Sequence, residues 1–202
     1  MDNAIRISHL NDFLFCPYSI YLHNIYDAID DHQYHDVPQM KSPALDYLMG
    51  VEGNAAKLYF QQYFVDMKSA TWKGRKPRLK IDPINVTLGI GYTLLFNFVE
   101  CIVRLFGFDV YVGVLHQLWF RRKSLICDFV EPFRCIVDKQ VVKSFRLAQF
   151  DVKYFTLSNA RYSLKAKHIS DYNAVLMSAI VKYKLKIFNT LAQKSPTSKV
   201  VG

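Results

Sequence analysis

Between Asp82 and Glu100 the chain runs PINVTLGIGYTLLFNFV without one charged side chain. A stretch of this kind must be hidden from water, in a membrane or inside a protein core. A membrane span needs about 20 predominantly apolar residues. This stretch is shorter and carries Asn85, Thr87, Gly89, Gly91, Thr93 and Asn97. That mixture suits a helix buried in a core, and Pro83 stands where a first helical turn tolerates proline. Such a helix needs others to wrap it. A chain of 202 residues with 51% hydrophobic content is long enough to supply them in one domain with a small appendage.

The candidates for that wrapping are legible as helical patterns. Ser42-Pro43 open ALDYLMGVEGNAAKLYFQQYFVDM. Leu45, Leu48, Val51, Ala55, Leu58, Tyr59 and Gln62 recur there along one stripe at helical spacing. Residues 68–80, KSATWKGRKPRLK, read as a basic loop with a Gly and a Pro. A helix is expected over roughly 124–145, and two more over 146–165 and 168–192, both rich in Lys, Tyr and Leu. Strand-like alternation is nearly absent, so the expected fold class is mostly α.

The first forty residues are of another kind. They hold one basic residue, Arg6, against Asp2, Asp12, Asp27, Asp30, Asp31 and Asp36, for a net charge of −5. Residues 41–202 carry +14, bringing the chain to +9. A body this basic suits a polyanionic partner. Ser8 can cap a helix through LNDFLFCPYSIYLHNIY, interrupted at Pro17, and DAIDDHQYHDVPQMKSP then reads as a linker. Two domains are expected, a short appendage over 1–40 and a helical body over 41–202.

Cys16, Cys101, Cys127 and Cys135 show neither CxxC nor zinc-ribbon spacing. The start, MDNAIRISHLND, has no signal-peptide character. A cytoplasmic protein with reduced thiols is expected, without a membrane partner.

Three polar residues are out of place. Asp128 lies between Cys127 and Phe129, His116 follows VGVL, and Glu52 interrupts the apolar stripe of its helix between Val51 and Gly53. A carboxylate in such surroundings is costly unless something pairs with it. Carboxylates plus one imidazole make a hard-metal donor set suited to Mg²⁺ or Mn²⁺, whereas structural zinc would want cysteines. Taken alone, a histidine such as His116 is more often a hydrogen-bonded core residue than a ligand. Glu131, Arg134 and Asp138 continue from Asp128 at three- and four-residue steps. They read either as part of a polar site or as a solvent-facing ladder of ion pairs.

Four segments make a resemblance specific: GVEGNAAKLYF (50–60), DPINVTLGIGYTLLFNFVE (82–100), VGVLH (112–116) and SLICDFVEPFR (124–134). Over about 41–165 the chain resembles the helical C-terminal domain of the CRISPR adaptation integrase, the Cas-one family. Matched by motif, Glu52, His116 and Asp128 take the places of that family's metal-binding and catalytic residues. Asn54, Arg78, Asp82, Asn85, Tyr92, Glu131 and Arg134 match other recurring positions, read as structural or DNA-contacting.

The resemblance implies a metal-dependent DNA endonuclease and integrase of CRISPR adaptation. In that chemistry a 3′-hydroxyl of the incoming DNA attacks a phosphodiester of the repeat, with Mg²⁺ or Mn²⁺ as cofactor. The implied partners are spacer-precursor and repeat DNA, a second copy in a homodimer, and the small adaptation subunit of the Cas-two family. Lys73, Arg75, Lys76 and Arg78 in the basic loop, with Arg121, Arg122 and Lys123, are the expected DNA-binding residues. Residues 1–40, ISHLNDFLFCPYSIYLHNIY above all, resemble the start of the CRISPR adaptation exonuclease of the Cas-four family, with Cys16 matching a first cluster ligand. The counterparts of that family's later cysteines and nuclease motifs are absent, so no iron–sulfur cluster is expected. The family's N-terminal β-domain is likewise not found. An alternative therefore stands: a truncated or fused remnant that binds DNA or assembles without catalysis.

Overall fold

The computed structural model describes residues 43–76, 78–113, 116 and 120–193, with side chains from Gly53 to Leu191. The appendage expected over 1–40, and the helix and linker read there from sequence, lie outside the described residues. The chain divides into two compact units between Tyr59 and Phe60. Helix α1, Pro43–Tyr63, crosses that division.

The second unit is built around α2, Pro83–Leu105, the charge-free segment. Its start is fixed by Asp82, whose extended backbone (φ −151°) lets the carboxylate accept from the Asn85 backbone N–H at 2.7 Å. Pro83 follows at the first helical position, where its missing N–H costs nothing. Arg104 lies in the last turn, where its charge opposes the negative end of the helix dipole. By length and composition α2 could cross a membrane. In the fold it packs against helices on several sides, and Ile84, Leu88, Leu95, Val99 and Val103 are fully buried. Gly91 permits the closest approach: a Cβ there would stand 2.4 Å from Val137 Cγ1.

The helix expected over 124–145 is instead two. Ser124–Val130 forms α3, Glu131–Phe133 a single 3₁₀ turn, and Arg134–Arg146 forms α4. Pro132 sits in that turn, where a residue without an N–H cannot continue the ladder. Both short helices press Leu125, Ile126, Ile136, Val137, Val141 and Phe145 into the core against α2.

The helix expected over 146–165 does not form, which corrects the sequence reading. Phe155–Ser158 (β1) and Arg161–Leu164 (β2) pair as an antiparallel hairpin with Ser158 opposite Arg161. Asn159 and Ala160 close it, both with positive φ (49° and 58°). Positive φ at both central residues is the type I′ geometry that matches strand twist. Phe155 is buried at one end of the hairpin, and its ring meets Tyr172 edge-on at 5.7 Å.

The last expected helix, over 168–192, divides into α5, Ile169–Lys182, and α6, Lys184–Gln193. Tyr172, Leu176 and Ile180 of α5 and Ile187 and Leu191 of α6 complete the core. The Tyr172 ring stacks on Phe150 at 3.7 Å. The described fold is mostly α, as expected, with one hairpin that the sequence did not announce.

Candidate functional site

Asp128 sits in the second turn of α3, 2% exposed. Its Oδ1 accepts from the His116 backbone N–H at 3.1 Å and meets His116 Nδ1 at 2.5 Å. The imidazole itself is partly exposed, 36% against 1% for the carboxylate side chain. The buried charge is thus met by a ring that reaches toward solvent. The hydrogen bond to Asp128 raises the His116 pKa; burial and Arg122 oppose this, while the charges of Asp128 and Glu131 add to it. With Nδ1 engaged by the carboxylate, Nε2 is the nitrogen left for a ligand.

The pair depends on a close approach that only glycine permits. A Cβ on Gly113 would stand 2.6 Å from the His116 carbonyl oxygen, 2.7 Å from Ser124 Cβ and 2.9 Å from Asp128 Oδ2. The bare Cα of Gly113 lets its backbone lie against the His116 carbonyl and the start of α3.

Glu52 lies on α1 in the first compact unit, and its side chain lies outside the described ones. Among the described residues no three His, Cys, Asp or Glu side chains gather at metal-binding distance. Asp128 and His116 do supply the donors a hard cation favours, a carboxylate and an imidazole already held side by side.

A second polar cluster surrounds Tyr92 on α2. The Tyr92 hydroxyl donates to Asp138 Oδ1, and the Arg134 and Arg75 guanidinium carbons lie 4.6 and 5.3 Å from its ring centre. Arg134 Nη1 donates to both Glu131 oxygens, at 2.9 and 2.7 Å. Arg75 Nη1 donates to Asn85 Oδ1 at 3.0 Å, and Asn85 Nδ2 donates to Asp82 Oδ2 at 2.7 Å and the Gly74 carbonyl at 2.8 Å. Burial, with the charge of Asp138 behind it, pushes the Tyr92 phenol well above its ordinary pKa, so the hydroxyl stays a donor. Burial disfavours charge on Arg134, but Glu131, Tyr92 and Asp138 outweigh it and keep the guanidinium protonated. The solvent-facing ladder is therefore half right. Glu131 and Arg134 pair, while Asp138, 3% exposed, turns inward to Tyr92.

The basic residues separate in the same way. Lys73, Lys76 and Arg78 are exposed on the loop, whereas Arg75 is drawn inside the cluster just described, and burial lowers its pKa. Arg121 is exposed, with its guanidinium 5.0 Å from the Phe120 ring centre. Arg122 Nε lies 3.4 Å from Ser124 Oγ. Lys123 Nζ bonds both Glu100 oxygens at 2.7 Å, which lowers the Glu100 pKa. Among the described residues, Cys101, Cys127 and Cys135, on α2, α3 and α4, form no disulfide.

The family model described as CRISPR associated protein Cas1 matches residues 18–175. The chain belongs to the Cas1 family. It is 38% identical over 104 residues to the CRISPR-associated endonuclease Cas1 1 of Thermodesulfovibrio yellowstonii, covering 51% of this chain and 33% of that protein. It is 32% identical over 110 residues to the CRISPR-associated exonuclease Cas4/endonuclease Cas1 fusion of Geobacter sulfurreducens, covering 51% of this chain and 20% of that protein. The chain thus spans a third or less of the length of these two relatives. Among solved structures, a Cas1 protein from Thermotoga maritima superposes with a TM-score of 0.70 at 20% identity, over 93% of this chain and 64% of that one. A casposase bound to integration product gives a TM-score of 0.67 at 20% identity, over 92% of this chain and 62% of that one. These two establish the shared Cas1 fold, and the Geobacter fusion is consistent with a Cas-four-like head.

Proposed function

We propose that this Cas1-family chain is a divalent-metal-dependent DNA endonuclease and integrase of CRISPR adaptation, which inserts short DNA fragments as new spacers. The observation that carries the proposal is the 2.5 Å contact between His116 Nδ1 and Asp128 Oδ1, two residues singled out from sequence and separated by twelve positions. Glu52, His116 and Asp128 would hold Mg²⁺ or Mn²⁺. Bound there, the cation would stabilise the negative charge that develops when a 3′-hydroxyl attacks a repeat phosphodiester.

The chain's own contribution is positioning. Asp128 fixes the imidazole and reserves Nε2 for the ligand role. Gly113 lets that pair sit against α3. Lys73, Lys76, Arg78 and Arg121 present exposed cations for DNA phosphates, and Arg122 stands beside the pair. Arg75 and Lys123 belong to the same basic segments but are spent on Asn85 and Glu100, so they hold the segments in place. Two of the structures of similar fold are Cas6-RT-Cas1–Cas2 complexes, one of them partial, which supports a small Cas2-type partner for this chain as well.

The test is incubation with a duplex bearing free 3′-hydroxyls and a supercoiled plasmid carrying the repeat, in Mn²⁺ and in EDTA. Relaxed or branched plasmid in Mn²⁺ alone is the expected result. DNA binding with no product under either condition would leave the chain a non-catalytic binding or assembly module.

A further inference from the structure

Trp72 stands in the basic loop one residue before Lys73, and its ring is turned onto the end of α1. It stacks on Phe64 with ring centres 4.8 Å apart and lies 6.3 Å from Phe60, and those two rings stack on each other at 5.5 Å. The indole Nε1–H donates to the Phe60 carbonyl at 2.8 Å. Phe60 belongs to the last turn of α1 and Phe64 follows it directly. The donor therefore meets the helix where its carbonyl oxygens carry negative partial charge.

The base under this clamp is tied down on both sides of Trp72. Before it, Ser69 Oγ lies 2.8 Å from the Phe145 carbonyl and 2.6 Å from the Phe150 carbonyl, at the end of α4. After it, Asn85 Oδ1 on α2 accepts from the Lys76 N–H at 2.8 Å and from Arg75 Nη1 at 3.0 Å. Helix α3, which carries Asp128, packs on the same α2. The stretch of α1 ahead of the clamp is different. None of its described side chains from Gly53 to Leu58 is buried, and Leu58 is 58% exposed.

We infer that Trp72 is a positioning residue for Glu52, acting by fixing the end of the helix on which Glu52 stands. The inference rests on the metal reading above and adds to it a residue that is neither a ligand nor a DNA contact. The argument is one of leverage. Glu52 precedes Phe60 by eight residues on one continuous helix, about 12 Å along its axis. A tilt of about 10° at the last turn would carry Glu52 sideways by about 2 Å, whereas a metal site tolerates about 0.2 Å in its ligand distances. A helix keeps its own shape without help, but its heading must be set from outside. The ring stack and the indole hydrogen bond set it along two different directions, against a base anchored to α2 and α4.

The experiment uses the full chain without DNA and reads Mn²⁺ binding from the electron paramagnetic resonance signal of the free ion. Trp72→Ala should weaken Mn²⁺ binding about tenfold, the lower end of what residues that orient a ligand contribute, with the helical circular dichroism retained. Trp72→Phe keeps a ring on Phe64 and loses only the N–H, so it should stay within about threefold of the parent. Both substitutions are repeated in a Glu52→Ala background, titrated far enough to saturate the weaker site. There neither should cost anything further, because a residue that acts through Glu52 has nothing left to place. The same losses with and without Glu52, or no loss in Trp72→Ala, would overturn the assignment and leave Trp72 a packing residue. If Trp72→Ala unfolds, Trp72→Phe decides: a loss confined to the background with Glu52 supports the inference, and any other result overturns it. A parent chain that binds no Mn²⁺, or a Glu52→Ala variant that binds as tightly as the parent, would overturn the metal reading itself, and this inference with it.

Discussion

Asp128 and Asp138 lie ten positions apart, on consecutive helices, and are almost equally buried, at 2% and 3% exposure. Each is held by a ring-bearing partner from elsewhere in the chain, Asp128 by the His116 imidazole and Asp138 by the Tyr92 hydroxyl. The difference lies in where those partners lead. His116 is partly open to solvent, has a second ring nitrogen to offer, and sits beside the cation-rich 120–123 turn. Tyr92 is enclosed by two guanidinium groups and ends there, with no further group to present. A buried carboxylate by itself therefore does not mark a reactive centre. What marks one is a partner with unused capacity at a surface that a substrate can reach.

The sharpest way to break this comparison is to truncate each carboxylate. Asp128→Ala should reduce strand transfer by at least about 100-fold, the scale of losing one group that stabilises the reacting charges. Glu52→Ala and His116→Ala should do the same, and all three should retain the helical circular dichroism of the parent. Asp138→Ala should act on stability, lowering it by about 1–3 kcal/mol because a buried hydroxyl loses its partner. Its residual activity should follow the folded fraction. Full activity in Asp128→Ala, or a dead but fully stable Asp138→Ala, would erase the distinction.

The next largest effect should come from the basic loop. Reversing Lys73, Lys76 and Arg78 to glutamate should weaken DNA binding steeply at low salt. The log–log dependence of affinity on salt should flatten by about 3, if each residue neutralises one phosphate. Arg75→Ala should behave otherwise. That guanidinium is bonded to Asn85 and lies against Tyr92, so its loss should loosen the loop and lower the melting temperature more than it changes the salt slope. Titrations of both variants across a salt series, paired with thermal melts, separate the two outcomes.

The Tyr92 cluster can be probed alone with Tyr92→Phe, which keeps the ring under Arg134 and Arg75 and removes only the hydroxyl that Asp138 accepts from. A loss of about 1–3 kcal/mol by urea unfolding is expected, with strand transfer per folded molecule unchanged. A drop in activity without a drop in stability would move this cluster into the reacting site.

How much of this was legible depends on the distance over which each feature is decided. The buried helix α2 was readable because a charge-free run and its Asp82-Pro83 start are local. Asp128 and His116 were readable because each breaks an apolar context within a few residues of itself. The inward turn of Asp138 was not, since its partner lies 46 residues earlier on another helix. Asp138 also stands at a spacing from Arg134 that suits an ion pair just as well. The break within 124–145 was available in Pro132 and was outweighed by the apolar pattern around it. Arg75 and Lys123 look like their basic neighbours in sequence, and only Asn85 and Glu100 tell them apart.

The hairpin was hidden for a more specific reason, and it yields the smallest predicted effect. Its strands are four residues each, too short for alternation to stand out. Its turn is Asn-Ala, where the usual signal for this geometry is Asn-Gly. Asn159 tolerates positive φ, but Ala160 adopts φ 58° against the preference of a residue with a Cβ. The pairing survives because Phe155 is anchored in the core and because the Tyr162 N–H reaches the Lys80 carbonyl at 2.9 Å, tying β2 to the end of the basic loop. Tertiary contacts, not the turn, hold the strands together. Ala160→Gly should therefore relieve the turn and stabilise the protein by up to about 1 kcal/mol, the gain from the αL preference being reduced by glycine's freedom when unfolded. Amide exchange in β1 and β2 should slow, while exchange in α2 stays as it was. A destabilised Ala160→Gly would mean that the Ala160 methyl makes a packing contribution larger than its strain. The hairpin would then join the regions held by side-chain fit rather than by backbone preference.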